Sequence, residues 1–255
     1  MRTLLVIGIG PGDPEQITVQ AIKALNRVDV FFVMDKGVEK RELLRLRHVI
    51  CDRYIDGRDY RFVELPDPVR DTDTDGYRAG VEAWHRARAA LLETAIAAEL
   101  PPNGTGGFLV WGDPSLYDST LRIMDMIVAN GNIPFGLEVI PGVASPMALA
   151  ARHRIALNSV GGAVHVTTGR LLAKGWPAEA DSVVAMLDGP GAFRDLAAPA
   201  DATIHWGAYL GTEWEMLDGG TVSEAAPRIA QRREQARARH GWIMDTYLLR
   251  RGGKA

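Results

Sequence analysis

The chain opens on an uninterrupted apolar run, Leu4-Leu5-Val6-Ile7, that ends in closely spaced glycines. So short a run, bounded by glycine, predicts a strand buried on both faces. From 15 to 26 the pattern changes to helical spacing, with Ile17, Ala21, Ile22 and Leu25 on one side. A second apolar run, Val30-Phe31-Phe32-Val33-Met34, predicts another buried strand that ends at Asp35. Strand, helix and strand in that order make a parallel, right-handed unit. Residues 36–54 read as a helix, with Leu43, Leu44, Leu46, Val49 and Ile50 on its apolar side. A short strand is expected at 61–65. An acidic, proline-containing loop at 66–75 is long enough to serve as a lid. An alanine-rich helix at 77–99, a strand at 106–111, a helix at 119–130, a strand at 135–140 and a helix at 146–151 follow.

The character then changes. Residues 152–162 are polar and carry paired glycines, as a connection does. Strand-like runs follow at 163–168, 182–187, 203–209 and 242–249, with the clearest helical spacing at 223–239. The arginines of that helix, Arg228, Arg232, Arg233, Arg237 and Arg239, read as a solvated face. The fold class is therefore α/β in two α/β domains, 1–141 and 142–255, the second with a mixed sheet.

Composition narrows the field. The 255 residues are 47% hydrophobic and 24% charged, with a net charge of -3, so no basic field recruits nucleic acid or anionic lipid. The single cysteine, Cys51, rules out an internal disulfide and reads as an inert residue on a helix face. No signal peptide is visible and no apolar segment approaches the ~20 residues of a membrane span. A cytoplasmic protein is expected. No histidine–cysteine cluster has metal-ligand spacing, and no metal is expected.

The candidate chemistry lies where strands end. Three glycine turns follow three strands: Gly8-Ile9-Gly10-Pro11-Gly12-Asp13, Gly112-Asp113-Pro114-Ser115-Leu116-Tyr117 and Pro141-Gly142-Val143-Ala144-Ser145. Ligands in open α/β sheets bind at the carboxyl ends of strands, so three such turns should converge on one crevice. The first turn is spaced G-x-G-x-G, not G-x-G-x-x-G, and Pro11 and Pro14 interrupt it. No Gly-Lys-Ser/Thr of a P-loop is present. Two turns carry an aspartate and none a lysine, which disfavours phosphate and favours a ligand with a positive centre, such as the sulfonium of S-adenosylmethionine. Any one turn alone is equally well a tight connection with no ligand.

Together the three motifs, in this order, resemble the tetrapyrrole methylases, whose pattern is G-x-G-x-G-D, then G-D-P-x-x-Y, then P-G-x-x-S. The resemblance covers almost the whole chain. It implies two α/β domains with the active-site cleft between them, S-adenosylmethionine held there, a tetrapyrrole substrate and a homodimer. Within the family, Asp35-Lys36-Gly37-Val38-Glu39-Lys40, 46–54, Val166-Thr167-Thr168-Gly169-Arg170 and 206–212 resemble the members that methylate C-1 of precorrin-5 in aerobic cobalamin synthesis and release the ring's acetyl group as acetate. Two residues depart from the wider pattern. Trp111 stands where a small residue usually precedes G-D-P, and Asp118 stands where glycine is common.

By this resemblance Pro11, Trp111, Gly112, Asp113, Leu116, Tyr117, Ala144, Ser145, Met186, Leu187, Ala208 and Tyr209 should surround the cofactor. Met186 and Leu187 read equally well as core packing. Gly10, Gly12, Asp13 and the cations Lys36, Arg152 and Arg170 are the candidates for the polycarboxylate substrate, with Lys40, Arg41 and Arg154 near the same strand ends. Loss of acetate needs water added to a carbonyl, hence a base or a polarising donor. Asp35, Tyr117 and His153 are the candidates, with His165 behind them. Three other readings remain at this point: a methylase of the same fold acting on another precorrin position, a protein or ribosomal RNA; a nicotinamide oxidoreductase with Asp35 on the ribose; and a non-catalytic binding module.

Overall fold

The computed structural model describes residues 1–35, 41–70 and 77–252. They form two compact units: Met1–Gly10 with Pro14–Val143, and Pro11–Asp13 with Ala144–Ala255. Each is built on a five-stranded sheet.

The strands of the first unit are β1 (Arg2–Gly8), β2 (Val30–Asp35), β3 (Arg61–Pro66), β4 (Thr105–Val110) and β5 (Phe135–Ile140). They lie in the order β3-β2-β4-β1-β5, every pair parallel. Its helices are α1 (Val19–Leu25), α2 (Arg41–Tyr54), α3 (Tyr77–Glu99) and α4 (Thr120–Asn130). The strand period of two sorts β1 between two cores. Leu4 and Val6 pack with Leu92 and Ile96 of α3 and Ile123 and Ile127 of α4. Leu5 and Ile7 pack with Ala21 and Leu25 of α1 and Ile50 and Cys51 of α2. Burial on both faces is why the inner strands β1, β2 and β4 read as largely apolar runs.

The helix expected from residue 15 starts later. Pro14–Gln16 forms one 3-10 turn, and the Thr18 hydroxyl then caps α1 by accepting the Ala21 N–H at 3.0 Å. The expected loop at 66–75 and the start of the helix expected at 36–54 fall partly outside the described residues.

The second unit contains α5 (Ser145–His153), β6 (Val164–Thr168), the single turn α6 (Gly169–Leu172), β7 (Ser182–Met186), β8 (Thr203–Ala208), β9 (Met216–Thr221), α7 (Val222–His240) and β10 (Asp245–Arg250). The sheet order is β6-β7-β10-β8-β9. Only β6 and β7 run parallel, so the sheet is mixed as expected. The pattern did not predict β9: its Asp218-Gly219-Gly220 interrupts any apolar alternation, yet it pairs along the whole of β8.

The solvated face expected of α7 needs correction. Arg233 is 5% exposed, and its Nε donates to Asp245 Oδ2 at 2.7 Å. Arg228 and Arg232 both reach Asp218, whose carboxyl they hold at about 2, well below its usual range.

Candidate active site

In the first unit the turns leaving β1, β4 and β5 meet main chain to main chain. A Cβ placed on Gly142 would lie 2.2 Å from the Gly112 carbonyl oxygen and 2.8 Å from the Gly8 carbonyl carbon. A Cβ on Gly8 would lie 2.6 Å from the Gly142 nitrogen. No side chain fits where these three turns cross. Gly10 and Gly112 form an isolated antiparallel bridge, with Gly112 N donating to Gly10 O at 2.9 Å. The convergence expected of three glycine turns is present here, at the carboxyl edge of the sheet.

Asp113 is the strut of this crossing. Its Oδ2 accepts the Gly142 N–H at 2.9 Å, and its Oδ1 accepts the Ser115 N–H at 2.8 Å and the Ser115 hydroxyl. Burial opposes its ionisation, but the bonds from Ser115 and Gly142 prevail and hold the carboxyl below the usual carboxylate range. The aspartate that the sequence directs at a ligand is thus engaged with the protein's own backbone.

Other candidates of this unit stand along the same edge. Trp111 is partly buried against the core under α1 and α2, which accounts for a bulky residue before the Gly-Asp-Pro turn. Leu116 is partly buried. Tyr117 is 40% exposed and holds a left-handed backbone at φ 53°. Burial raises the Tyr117 hydroxyl above its ordinary range, which keeps it protonated at neutral pH and makes it a donor. Asp35 is exposed at the end of β2. Lys36 and Lys40 lie outside the described residues.

One residue here escaped sequence reasoning. Arg47 of α2 donates from Nε to the Leu109 carbonyl at 3.1 Å and from Nη1 to the Leu43 carbonyl at 2.9 Å. Desolvation lowers its guanidinium to about 10, opposed by the charge of Asp118. Among the described residues it makes no ion pair. Its charge sits at the carboxyl end of β4 beside the turn that carries Tyr117. The signal was present, since Arg47 lies in the distinctive stretch 46–54, but a helical arginine reads first as solvated.

In the second unit, Pro11–Asp13 pack against 210–212. A Cβ on Gly12 would lie 2.4 Å from the Leu210 carbonyl oxygen, and one on Gly211 2.4 Å from the Asp13 nitrogen. The Gly211 N–H donates to Glu215 Oε2 at 2.8 Å, while Arg152 Nε donates to Glu215 Oε1 at 2.6 Å. Arg152, expected to meet substrate, is therefore tied to Glu215. Arg170 is exposed on α6, and His165 is exposed on β6.

Ala144 caps α5 with an extended backbone, Ser145 begins the helix, and Pro146 occupies its first turn. Met186 ends β7 partly buried, and Leu187 follows at φ 51° and 64% exposed. Ala208 is buried at the end of β8. Tyr209, at φ 50°, places its ring in the core against Trp214, Trp242 and His240, with its hydroxyl donating to the Trp242 carbonyl. Burial pushes that hydroxyl up to about 12. Its side chain is core, not ligand surface. His153 is occupied as well: its Nε2 lies 3.0 Å from the Trp206 carbonyl oxygen, and its ring packs edge-on to His205. Burial, with the charges of His153 and Arg250, lowers His205 to about 4. His153 has the setting of a hydrogen-bonded structural residue.

Comparison with known proteins agrees with this architecture. The family model of tetrapyrrole (corrin/porphyrin) methylases matches residues 3–226. A precorrin-6A synthase (deacetylating) of Sinorhizobium sp. is 50% identical over 252 residues, covering 99% of this chain and 96% of the relative. The crystal structure of a cobalamin synthesis related protein (CobF) from Corynebacterium diphtheriae superposes with a TM-score of 0.83 at 41% identity, covering 98% of each chain. A uroporphyrin-III C-methyl transferase from Thermus thermophilus, complexed with S-adenosylhomocysteine, shares the fold at a TM-score of 0.57 and 20% identity, over 97% of this chain and 91% of that one. Order of motifs, converging turns and full-length likeness agree: the chain belongs to the tetrapyrrole (corrin/porphyrin) methylase family.

Proposed function

We propose that this chain is a deacetylating precorrin-6A synthase: an S-adenosylmethionine-dependent C-methyltransferase that methylates C-1 of precorrin-5 and releases acetate, in aerobic cobalamin biosynthesis. The observation that carries this reading is the 50% identity kept along 99% of the chain to a relative of that activity. The turns suit the methyl donor. Residues 8–13, 111–118 and 141–145 contain no lysine or arginine, so they present main chain and carboxylate to a sulfonium. S-adenosylmethionine bound there would supply an electrophilic methyl group.

The protein's own work is then alignment and proton handling. Positioning alone can supply roughly 7–11 kcal/mol of such a barrier. The cofactor contacts are those expected above, Gly112, Leu116, Met186 and Leu187 among them, except the Tyr209 ring, which packs in the core. Tyr117, protonated and partly exposed, donates to the acetyl carbonyl as water adds. Asp35, on the neighbouring strand's carboxyl end, takes the proton. The carbon–carbon bond to the ring breaks with its electron pair left on the macrocycle, where the methyl group is accepted. Arg47 offers a fork to one of the substrate's carboxylates. The chain works as a cytoplasmic homodimer, and light scattering at micromolar concentration tests the assembly. No helix of the described residues is long and apolar enough to cross a membrane.

Incubation with precorrin-5 and methyl-labelled S-adenosylmethionine should give a labelled tetrapyrrole and stoichiometric acetate. Label without acetate would remove the deacetylating step from the reading. No label in a tetrapyrrole would turn it toward a methylase of the same fold acting on a macromolecule.

A further inference from the structure

We propose that Asp188 is a positioning residue for cofactor binding, a clamp that fixes the exit of β7 so that Leu187 presents its side chain from a left-handed backbone. The proposal rests on the reading of Met186 and Leu187 as cofactor contacts. Leu187 combines two unfavourable states, a φ of 51° and 64% exposure of an apolar side chain. Such a conformation persists only where its surroundings impose it, and such sites cluster where ligands bind.

What imposes it is the next residue. Asp188 is 3% exposed, yet its carboxylate is fully used. Oδ1 accepts the Gly191 N–H at 3.0 Å. Oδ2 accepts the Ala192 N–H at 2.7 Å and the Tyr247 hydroxyl at 2.6 Å. The Asp188 carbonyl in turn accepts from Arg233 Nη2. Arg233 is itself fixed, because its Nε donates to Asp245 Oδ2 at 2.7 Å, an oxygen that also accepts the Trp206 indole N–H at 2.7 Å. Side chain and main chain of Asp188 are thus held from β10, from α7 and from the loop that follows β7. The start of α6 makes room for it: a Cβ on Gly169 would lie 2.1 Å from Asp188 Oδ1. Gly169 belongs to the Thr-Thr-Gly-Arg stretch, where it is Arg170, and not Gly169, that is a candidate for the substrate. With Asp188 fixed and β7 fixed by its ladders, Leu187 has no freedom to relax to an ordinary backbone.

The test is a double-mutant cycle read by calorimetric titration with S-adenosylhomocysteine and by thermal melting. L187A should weaken binding of S-adenosylhomocysteine. D188N should weaken it by about tenfold when Leu187 is present and by less than about twofold in the L187A background, because the clamp acts through that residue. The loss of melting temperature on D188N should be the same in both backgrounds, since the buried network is cut in each. Y247F removes one of the donors to the same carboxylate and should weaken binding by a few-fold; it carries the test if D188N does not fold. Equal weakening by D188N in both backgrounds would overturn the clamp. So would unchanged affinity in D188N and Y247F while L187A binds poorly. Unchanged affinity in L187A would instead overturn the contact reading, and the clamp's purpose with it.

Discussion

The crossing of the three turns makes a sharp prediction at Gly142. Alanine there would put a Cβ 2.2 Å from the Gly112 carbonyl oxygen and 2.8 Å from the Gly8 carbonyl carbon, both main-chain atoms that no rotamer change can move. To restore contact, the turns after β4 and β5 must part by about 1 Å, and close-packed interiors resist this. The Gly142 N–H to Asp113 Oδ2 bond, 2.9 Å long, would then stretch to about 4 Å and be lost. Losing a hydrogen bond to a carboxylate costs about 1.5–3 kcal/mol, and overpacking adds about 1–3 kcal/mol. A destabilisation of about 2.5–6 kcal/mol is expected, with loss of S-adenosylhomocysteine binding by calorimetry. Gly136, in β5, is the control: a Cβ there meets nothing nearer than Met1 Cε at 3.6 Å, so G136A should melt within about 2 °C of the parent protein. If G142A matched the parent in melting temperature and in affinity, the three-turn crossing would not be the element that holds the site.

Replacing Arg47 should act on the substrate alone: R47Q should raise KM for precorrin-5 about tenfold with little change in affinity for S-adenosylhomocysteine, and R47K should fall between because it keeps the charge without the fork. Y117F removes only the donor and should slow acetate release about 100-fold in single-turnover assays, while S-adenosylhomocysteine binds as before. Cys51 is buried and its thiol is pushed up to about 12 by desolvation and by Asp52, so it should resist a thiol reagent at pH 8 until the protein is unfolded by guanidinium. The Asp218 carboxyl lies near 2 when folded against 3.8 as its ordinary value, so its contribution is complete above about pH 5 and is lost as pH falls through 3.8 toward 2. D218N should therefore lower the melting temperature at pH 7 and abolish that part of the acid transition.

The first unit was legible because its sheet is parallel and covered on both faces. Its inner strands β1, β2 and β4 are then short, largely apolar runs, and β1, β4 and β5 each leave through a glycine turn visible in the sequence itself. The second unit was less so. Its mixed sheet contains β9, where Asp218, Gly219 and Gly220 occupy strand positions that only pairing with β8 makes possible. The site divides along the same line. Turns that are local in sequence were read, but partners distant in sequence were not. Arg152 reads as a substrate cation until Glu215, 63 residues on, takes it. Arg233 reads as solvated until Asp245 arrives from β10. Spacing within a helix places a side chain on a face, but tertiary packing decides what that face meets.

The same reasoning changes what an aspartate in a glycine turn means. Read alone, Asp113 is a negative charge waiting for a positive ligand. In the structure its oxygens accept main-chain N–H groups of Ser115 and Gly142. Asp188 accepts those of Gly191 and Ala192, and Glu215 accepts that of Gly211. Three carboxylates in two units thus do one job, which is to hold the chain where it turns sharply after a strand. Turns rich in glycine pay a large entropy on ordering. Charge-assisted bonds from a carboxylate to successive amides are the strongest local means of offsetting that loss. The negative potential remains available to a sulfonium, but it comes from groups already fixed in place and needs no rearrangement when a ligand arrives. A site built this way discriminates by shape first and by charge second. Variants that keep the charge but shift these carboxylates should therefore harm it as much as variants that remove the charge.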